Sequence, residues 1–547
     1  MKRPTVTSIQ LGMLTTFFVL ATANGSFWRK GLAYFDGHLV AFAAFSVSIF
    51  LLGVCLLTMF SMKYVIKPIF ILFVLIAAVS SYFVDAFGIV VDRDMIRNAV
   101  ETTPAEAGAL ITPTFLLHVL LIGVLPGIAI ALVRVQHRPV LAKAAWNTAF
   151  MAPALLTVLA VVFVNFSTFA ATFRNHGDLM ASLNPASAIV GLGKFVDRQF
   201  ADRNLTLAKL GEDAHRIALE GRHRPKLLVL VVGETARARD FSLLGYDRDT
   251  NPELAKHDVV AFTNVQSCGT MTEVSLACMF SVYPRADYSE RKAKATENLL
   301  DVVSHAGVRS VWFDNNTGSK GIADRIASEF LPANNDPDFC SDGECRDDVL
   351  VHRLKTAIET VDKDTVMVLH QIGSHGPAYY RRYAADAHRF VPDCRTPQLA
   401  DCTAAELVNA YDNTIVQTDR ILAQIVDVLK EKSDRLDTAM LYVSDHGESL
   451  GENGLYLHAA PWFMAPPEQT HVPMIAWFSK PLAEDIALDV DCLAKERDAA
   501  FSHDNLFHTT LGLMEVATGV YDASLDITAS CRRQFSVFEV PNAEPRS

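Results

Sequence analysis

The sequence predicts a bundle of five transmembrane helices followed by an α/β domain, whose mainly parallel sheet is sandwiched by helices. Three observations predict this. Long apolar runs are confined to the first third of the chain. From residue 226 onward, short apolar runs alternate with helical patterns. Eight of the nine cysteines fall in that second part.

The 547 residues are 50% hydrophobic, too apolar for a soluble domain alone. Runs near 8–24, 38–60, 66–86, 114–134 and 150–172 are each long enough to cross a hydrocarbon layer of about 30 Å. Lys2 and Arg3 precede the first run as in a signal peptide, but four further runs follow. The sequence Ala-Asn-Gly-Ser-Phe-Trp is also a weak cleavage site, so an uncleaved helix is expected. Lys2, Arg3, Lys63, Lys67, Arg134, Arg138 and Lys143 fall on one side of the spans, and Arg29, Lys30, Arg93 and Arg97 on the other. This bias predicts an N-terminus inside and everything after about residue 173 outside the cytoplasm.

The division expected is 1–172 for the membrane helices, 173–222 for a linking segment and 223–547 for the α/β domain. In the linking segment, Ala188, Ile189, Val190, Phe195, Val196 and Phe200 form an amphipathic stripe. It fits a helix lying on the membrane surface or one packed on the soluble domain. Beyond it, runs at 227–232, 309–313, 365–370, 438–443 and 472–478 read as strands, and 404–432 reads as a helix. That alternation implies βαβ units and a parallel sheet covered on both faces.

The cysteines other than Cys55 read as four disulfides: Cys268 with Cys278, Cys340 with Cys345, Cys394 with Cys402, and Cys492 with Cys531 as the remaining pair. None has CxxC spacing, and an even number in an exported domain implies an oxidising compartment. The net charge of −12 argues against a nucleic-acid partner.

Polar residues cluster after the strand runs: Glu234 after the first, Asp314 to Lys320 after the second, His370 to His375 after the third, and Asp445, His446 and Glu448 after the fourth. Strand C-termini of a parallel sheet converge on one crevice. Glu234, Asp445 and His446 therefore meet, and two carboxylates with an imidazole suit zinc or manganese. His370, at a strand end, reads as structural. A hydroxyl at the start of the helical pattern after Ser267 is placed to attack phosphorus, with Thr270, Thr272 and Ser275 as candidates.

Several long segments then occur in a telling order. They are Val-Val-Gly-Glu-Thr-Ala-Arg-Ala-Arg-Asp (231–240), Ser-Cys-Gly-Thr-Met-Thr (267–272) and Asp-Asn-Asn-Thr-Gly-Ser-Lys-Gly (314–321). His-Gln-Ile-Gly-Ser-His-Gly-Pro (370–377), Ser-Asp-His-Gly-Glu-Ser-Leu-Gly-Glu-Asn-Gly (444–454) and Tyr-Leu-His (456–458) follow. Together they resemble the phosphoethanolamine transferases of Gram-negative inner membranes, which include lipid A enzymes and mobile colistin-resistance proteins within the alkaline phosphatase/sulfatase superfamily. The resemblance implies an alkaline phosphatase-like domain in the periplasm, at least one tightly bound zinc ion, and Thr272 as nucleophile. It implies zinc ligation by Glu234, Thr272, Asp445 and His446, with His375 and His458 near the transferred phosphate. Thr317 and Lys320 correspond to phosphate contacts, and Asn98, Thr102 and Glu106 to a donor pocket. The implied donor is phosphatidylethanolamine and the acceptor lipid A, with the protein acting as a monomer. Core sugars, periplasmic glucans or a phosphoglycerol donor are the competing readings, and a non-catalytic membrane sensor is the competing class.

Overall fold

The structure, a computed structural model, describes residues 4–102, 104–202, 205–217 and 224–532. Lys2 and Arg3, used above for orientation, lie outside the described residues. The chain forms two compact units, residues 1–100 with 110–200 and residues 101–109 with 201–547.

In the first unit, α1 (Ser8–Thr22) precedes four helices long and apolar enough to cross a membrane among the described residues. These are α2 (Leu39–Met59), α3 (Ile66–Phe87), α4 (Pro113–Leu132) and α5 (Val140–Val164). The sequence predicts five spans; four helices of that length are present among the described residues, and the first run forms α1, a shorter apolar helix of 15 residues. A capping box starts α1, with Thr7 and Gln10 satisfying each other's backbone N–H groups. Its Leu11 and Val19 share a core with Leu57, Phe70, Val74 and Ile130. The last span begins at Val140 rather than near 150. Lys143 lies inside that helix because its ammonium finds the Ser61 carbonyl, which the apolar window cannot register. The amphipathic stripe folds as α6 (Ala186–Asp202). Its Gly191 abuts the chain at Asp92, where a Cβ would stand 2.8 Å from the carbonyl carbon.

The second unit is built on a seven-stranded sheet. Its strands are β1 (Lys226–Gly233), β2 (Val260–Phe262), β3 (Arg309–Asp314), β4 (Ala327–Phe330), β5 (Thr365–His370), β6 (Asp437–Ser444) and β7 (Met474–Phe478). The order across the sheet is β2-β7-β6-β1-β5-β3-β4. The five strands from β6 to β4 are parallel, and β7 and β2 pair antiparallel. The alternating runs imply a mainly parallel sheet, and the structure shows a mixed one, parallel from β6 to β4 with an antiparallel edge at β7 and β2. The chain leaves β6 at Ser444 and returns beside Val443 at Met474, on the same end of the sheet, so no crossover is needed.

Strands β1 and β6 are buried along their whole length, as central parallel strands are. Leu228, Leu230 and Val232 pack in one core with Val368, Leu441 and Phe507. Helix α7 (Thr272–Met279) follows β2, and α8 (Ala404–Glu431), capped by Thr403 and Glu406, packs on β6. The structure joins Cys268 to Cys278, Cys340 to Cys345, Cys394 to Cys402 and Cys492 to Cys531.

Candidate active site

Register builds the site. Ser444 of β6 pairs with Gly233 of β1, so the residues that follow, Asp445 and Glu234, leave the sheet side by side. The ladder runs on for one bond, from Asp445 N to the Gly233 carbonyl at 3.0 Å. Thr235 then turns the chain with φ of 59°, a left-handed conformation that a β-branched residue adopts at a cost. Tyr411 of α8 holds this turn by donating to the Thr235 carbonyl at 2.7 Å and accepting from Arg237 N at 3.0 Å.

Ligand atoms of Glu234, Asp445 and His446 all lie within 4.8 Å of one another, and all three side chains are fully buried. The Nδ1 of His446 meets the Gly447 carbonyl at 2.9 Å. A carbonyl only accepts, so Nδ1 carries the proton and Nε2 faces the two carboxylates, at 3.3 Å from Glu234 and 3.4 Å from Asp445. Burial opposes the charge of Glu234, but the facing His446 outweighs it and holds that carboxyl well below the usual range. Burial, reinforced by the charge of Glu234, pushes Asp445 up. Burial also opposes the His446 imidazolium, yet the two carboxylates push it up to about 10.

Asp445 Oδ2 and His446 Nε2 are buried without a hydrogen-bond partner. Two orphaned ligand atoms facing each other, beside a second carboxylate, fit a divalent cation. The other two groupings of potential ligands among the described residues contain disulfide sulfurs, which offer no thiolate.

Of the three candidate hydroxyls, the structure brings one to this centre. Thr272 stands at the first residue of α7 and donates to Glu234 Oε2 at 3.0 Å. Thr270 donates instead to the Ala460 carbonyl, and the Ser275 hydroxyl is buried within the helix packing. Gly269 lets the loop pass close to α7, since a Cβ there would lie 2.8 Å from Val274.

His375 and His458 line the same region, with ring centroids 5.4 Å apart and His458 4.5 Å from His446. Glu448 orients His458, accepting from its Nδ1 at 2.9 Å while Tyr379 donates to the other carboxylate oxygen at 2.5 Å. Lys320 pairs with Glu273 at 2.9 Å, next to Thr272 in sequence. Thr317 lies half-buried in the same loop, which Asp314 shapes by accepting from the Asn316 and Gly318 amides. His370 is enclosed against Asp314 at 2.9 Å, a buried pair behind the ligand cluster.

The chain is 41% identical over 540 residues to phosphoethanolamine transferase EptA of Escherichia coli K12, covering 97% of this chain and 98% of that protein. It belongs to the phosphoethanolamine transferase family. Residues 49–200 match the family described as phosphoethanolamine transferase EptA/EptB, and residues 226–516 match the sulfatase family. The transferase is also 37% identical to phosphatidylethanolamine transferase Mcr-1 of Escherichia coli over 512 residues, 90% of this chain and 94% of that one. Among solved structures, the integral membrane EptA of Neisseria meningitidis superposes with a TM-score of 0.92 at 36% identity. That match covers 97% of this chain and all of that one. The transferase is thus a membrane enzyme with a sulfatase-type catalytic domain.

Further residues hold the transferase site; Asn316 and Gly373 lie in the clusters read from sequence, and His503 lies in none of them. Asn316 donates to Glu234 at 2.7 Å and to the Gln371 carbonyl at 2.9 Å. His503 accepts from Cys268 N at 3.0 Å and donates to the Ser444 carbonyl at 2.9 Å, tying the loop before Thr272 to the end of β6. Burial lowers His503 to about 3, so it stays neutral and keeps both roles. Gly373 has φ of 51° and backs directly onto Glu234, where a Cβ would stand 2.6 Å from the carbonyl oxygen. In the membrane-proximal loop, Asn98 is half-buried in the helix Arg93–Glu101 and Thr102 follows it. The side chain of Glu106, in the helix Pro104–Leu110, lies outside the described residues.

Proposed function

We propose that the enzyme moves phosphoethanolamine from phosphatidylethanolamine to lipid A on the periplasmic face of the inner membrane, through a phosphothreonine at Thr272. The observation that carries this reading is the Thr272 hydroxyl at a helix N-terminus, hydrogen-bonded to Glu234 beside Asp445 and His446. The family and the names of its relatives supply the transferred group, and the four disulfides support an oxidising compartment for the catalytic domain. One relative, of which the chain covers about half, is named as acting on Kdo(2)-lipid A.

Glu234, Asp445, His446 and Thr272 would hold a zinc ion, which favours the alkoxide of a bound hydroxyl and neutralises charge on phosphoryl oxygens. Thr272 Oγ1 attacks the donor phosphorus, its proton already directed at Glu234. The bond from phosphorus to the diacylglycerol oxygen breaks, and that oxygen takes a proton from His458 or His375. Glu448 fixes the His458 ring so that Nε2 is the nitrogen free to act. A phosphate oxygen of lipid A then attacks the phosphothreonine and regenerates the Thr272 hydroxyl. The backbone N–H groups at the start of α7 stabilise phosphate charge in both steps. Lys320, next to Glu273, and Thr317 supply further contacts to it. Asn98, Thr102 and Glu106 are assigned to the donor headgroup. The added ammonium lowers the negative charge of lipid A and weakens binding of cationic peptides such as polymyxin.

The test is expression of the intact protein and its Thr272→Ala variant in a polymyxin-sensitive Gram-negative host, with mass spectrometry of lipid A. The expected result is a phosphoethanolamine adduct with the intact protein and none with the variant. Adducts confined to core sugars or glucans would move the acceptor and keep the chemistry. Adducts persisting in the variant would remove Thr272 as the nucleophile.

A further inference from the structure

The membrane unit contains a cleft of about 720 Å³ for which the chemistry above has no use. Its inner wall is buried and apolar, built from Leu20 of α1, Phe45 and Ile49 of α2, Val158 of α5, and Phe169. Its rim is also apolar but exposed, as at Leu56, Phe166 and Ile189. Two close approaches fix the walls. At Gly53 a Cβ would lie 2.7 Å from Thr16, so α1 and α2 meet there without a side chain between them. Gly191, the residue after Val190 of the lining, seats α6 against the Asp92 backbone.

Water is a poor occupant. A buried water needs two to four polar partners, and only Thr16, Ser48 and Asn184 bring polar side chains to this lining. Ser48 already donates to the Ala44 carbonyl at 2.9 Å. Leu52 and Leu56 of α2 and Val162 of α5 put exposed apolar lining on helices of membrane-spanning length, so the cleft opens onto lipid, and the abundant apolar filler there is an acyl chain. The volume also falls within the usual range for a ligand pocket.

We propose that this cleft binds an acyl chain of a membrane phospholipid, held between α1, α2, α5 and the chain from 166 to 190. Thr16 Oγ1 and Asn184 Oδ1, buried in the lining without partners, mark where a polar group of the lipid can be received. The proposal is independent of the donor, acceptor and metal of the transfer reaction.

The experiment places the full chain in phospholipid nanodiscs containing a trace of phosphatidylcholine with a diazirine midway along one acyl chain. The choline headgroup keeps the probe apart from the transfer chemistry. After irradiation, adducts are mapped by peptide mass spectrometry. The expected adducts fall on the buried residues Phe45, Ile49, Val158 and Phe169. A Ser48→Phe/Ala170→Phe double variant, which fills the cleft, lowers them roughly tenfold, as for a ligand shut out of its pocket. Labelling of outward-facing Leu14 and Phe163 stays unchanged. Adducts confined to such outward-facing residues in the unaltered protein would overturn the proposal, and that map decides the matter even if the double variant fails to insert. Undiminished labelling of the inner wall in a correctly inserted variant would overturn it too.

Discussion

Glu234, Asp445 and His446 form a buried set in which two carboxylates compete for the charge one imidazolium can balance. Without an ion, His446 keeps its proton, pushed up to about 10 against the opposing effect of burial. Asp445 is raised to about 7 by burial and by Glu234. A divalent ion substitutes for these protons, so binding must release them. The sign follows directly: as pH falls below about 7, Asp445 protonates in the ion-free site and each ion must displace one more proton. Affinity for zinc should fall roughly tenfold per pH unit for each proton released, with the His446 proton contributing across the whole range. Competition against a chromogenic chelator at pH 6, 7 and 8 measures this. An affinity independent of pH would mean that the three side chains are not the ligands. Asp445→Asn, which removes the charge and keeps the shape, should flatten the profile as well as weaken binding.

Helix α7 has eight residues and Met271 at its N-cap, which gives no side-chain cap, so it has little stability of its own. Its position comes from what is tied to it: the Cys268–Cys278 bridge, the bond from His503 to Cys268 N, and the bond from Thr270 to Ala460. Closing a loop with a sequence separation of 10 stabilises the fold by about 2–3 kcal/mol. A Cys268→Ser/Cys278→Ser variant should therefore melt lower, and its transfer rate should fall further than the loss of folded protein accounts for. Thermal unfolding and initial rates on the same preparation separate the two. Unchanged values for both would show that packing alone positions Thr272. At this scale the sequence was readable where pattern and burial coincide. The apolar runs at 227–232, 309–313, 365–370 and 438–443 are β1, β3, β5 and β6, and the residues after β1 and β6 meet because those strands are in register. β2 and β4 were not legible, being three and four residues long, and β4 is largely exposed. The residues that orient the centre were no more legible. His503 lies 235 positions from the amide it holds, and Tyr379 lies 69 from Glu448. No local pattern encodes such pairs, because tertiary folding alone brings them together.

Topology for the whole molecule turns on α1. At 15 residues it spans about 22 Å at 1.5 Å per residue, short of a hydrocarbon layer of about 30 Å. Four longer helices alone would return the chain to the side on which it began. Two independent features oppose that outcome. The Lys and Arg distribution favours an N-terminus inside. Eight cysteines paired between residues 268 and 531 fit an oxidising side for the catalytic unit. An odd number of crossings would satisfy both, so the prediction is that α1 crosses as well. Its packing agrees, since Leu11 and Val19 lie in one apolar core with residues of α2, α3 and α4, while Leu14 and Phe17 face outward. For α1 to cross, local thinning of the bilayer and the extended Thr5–Thr7 ahead of it would supply the missing length. Alkaline phosphatase fused at the C-terminus should then be active in a Gram-negative host, and a fluorescent protein that matures only in the cytoplasm should fluoresce when fused at the N-terminus. Reporters found on the same side would mean that α1 does not cross. In that case the four disulfides would favour the oxidising side for both ends.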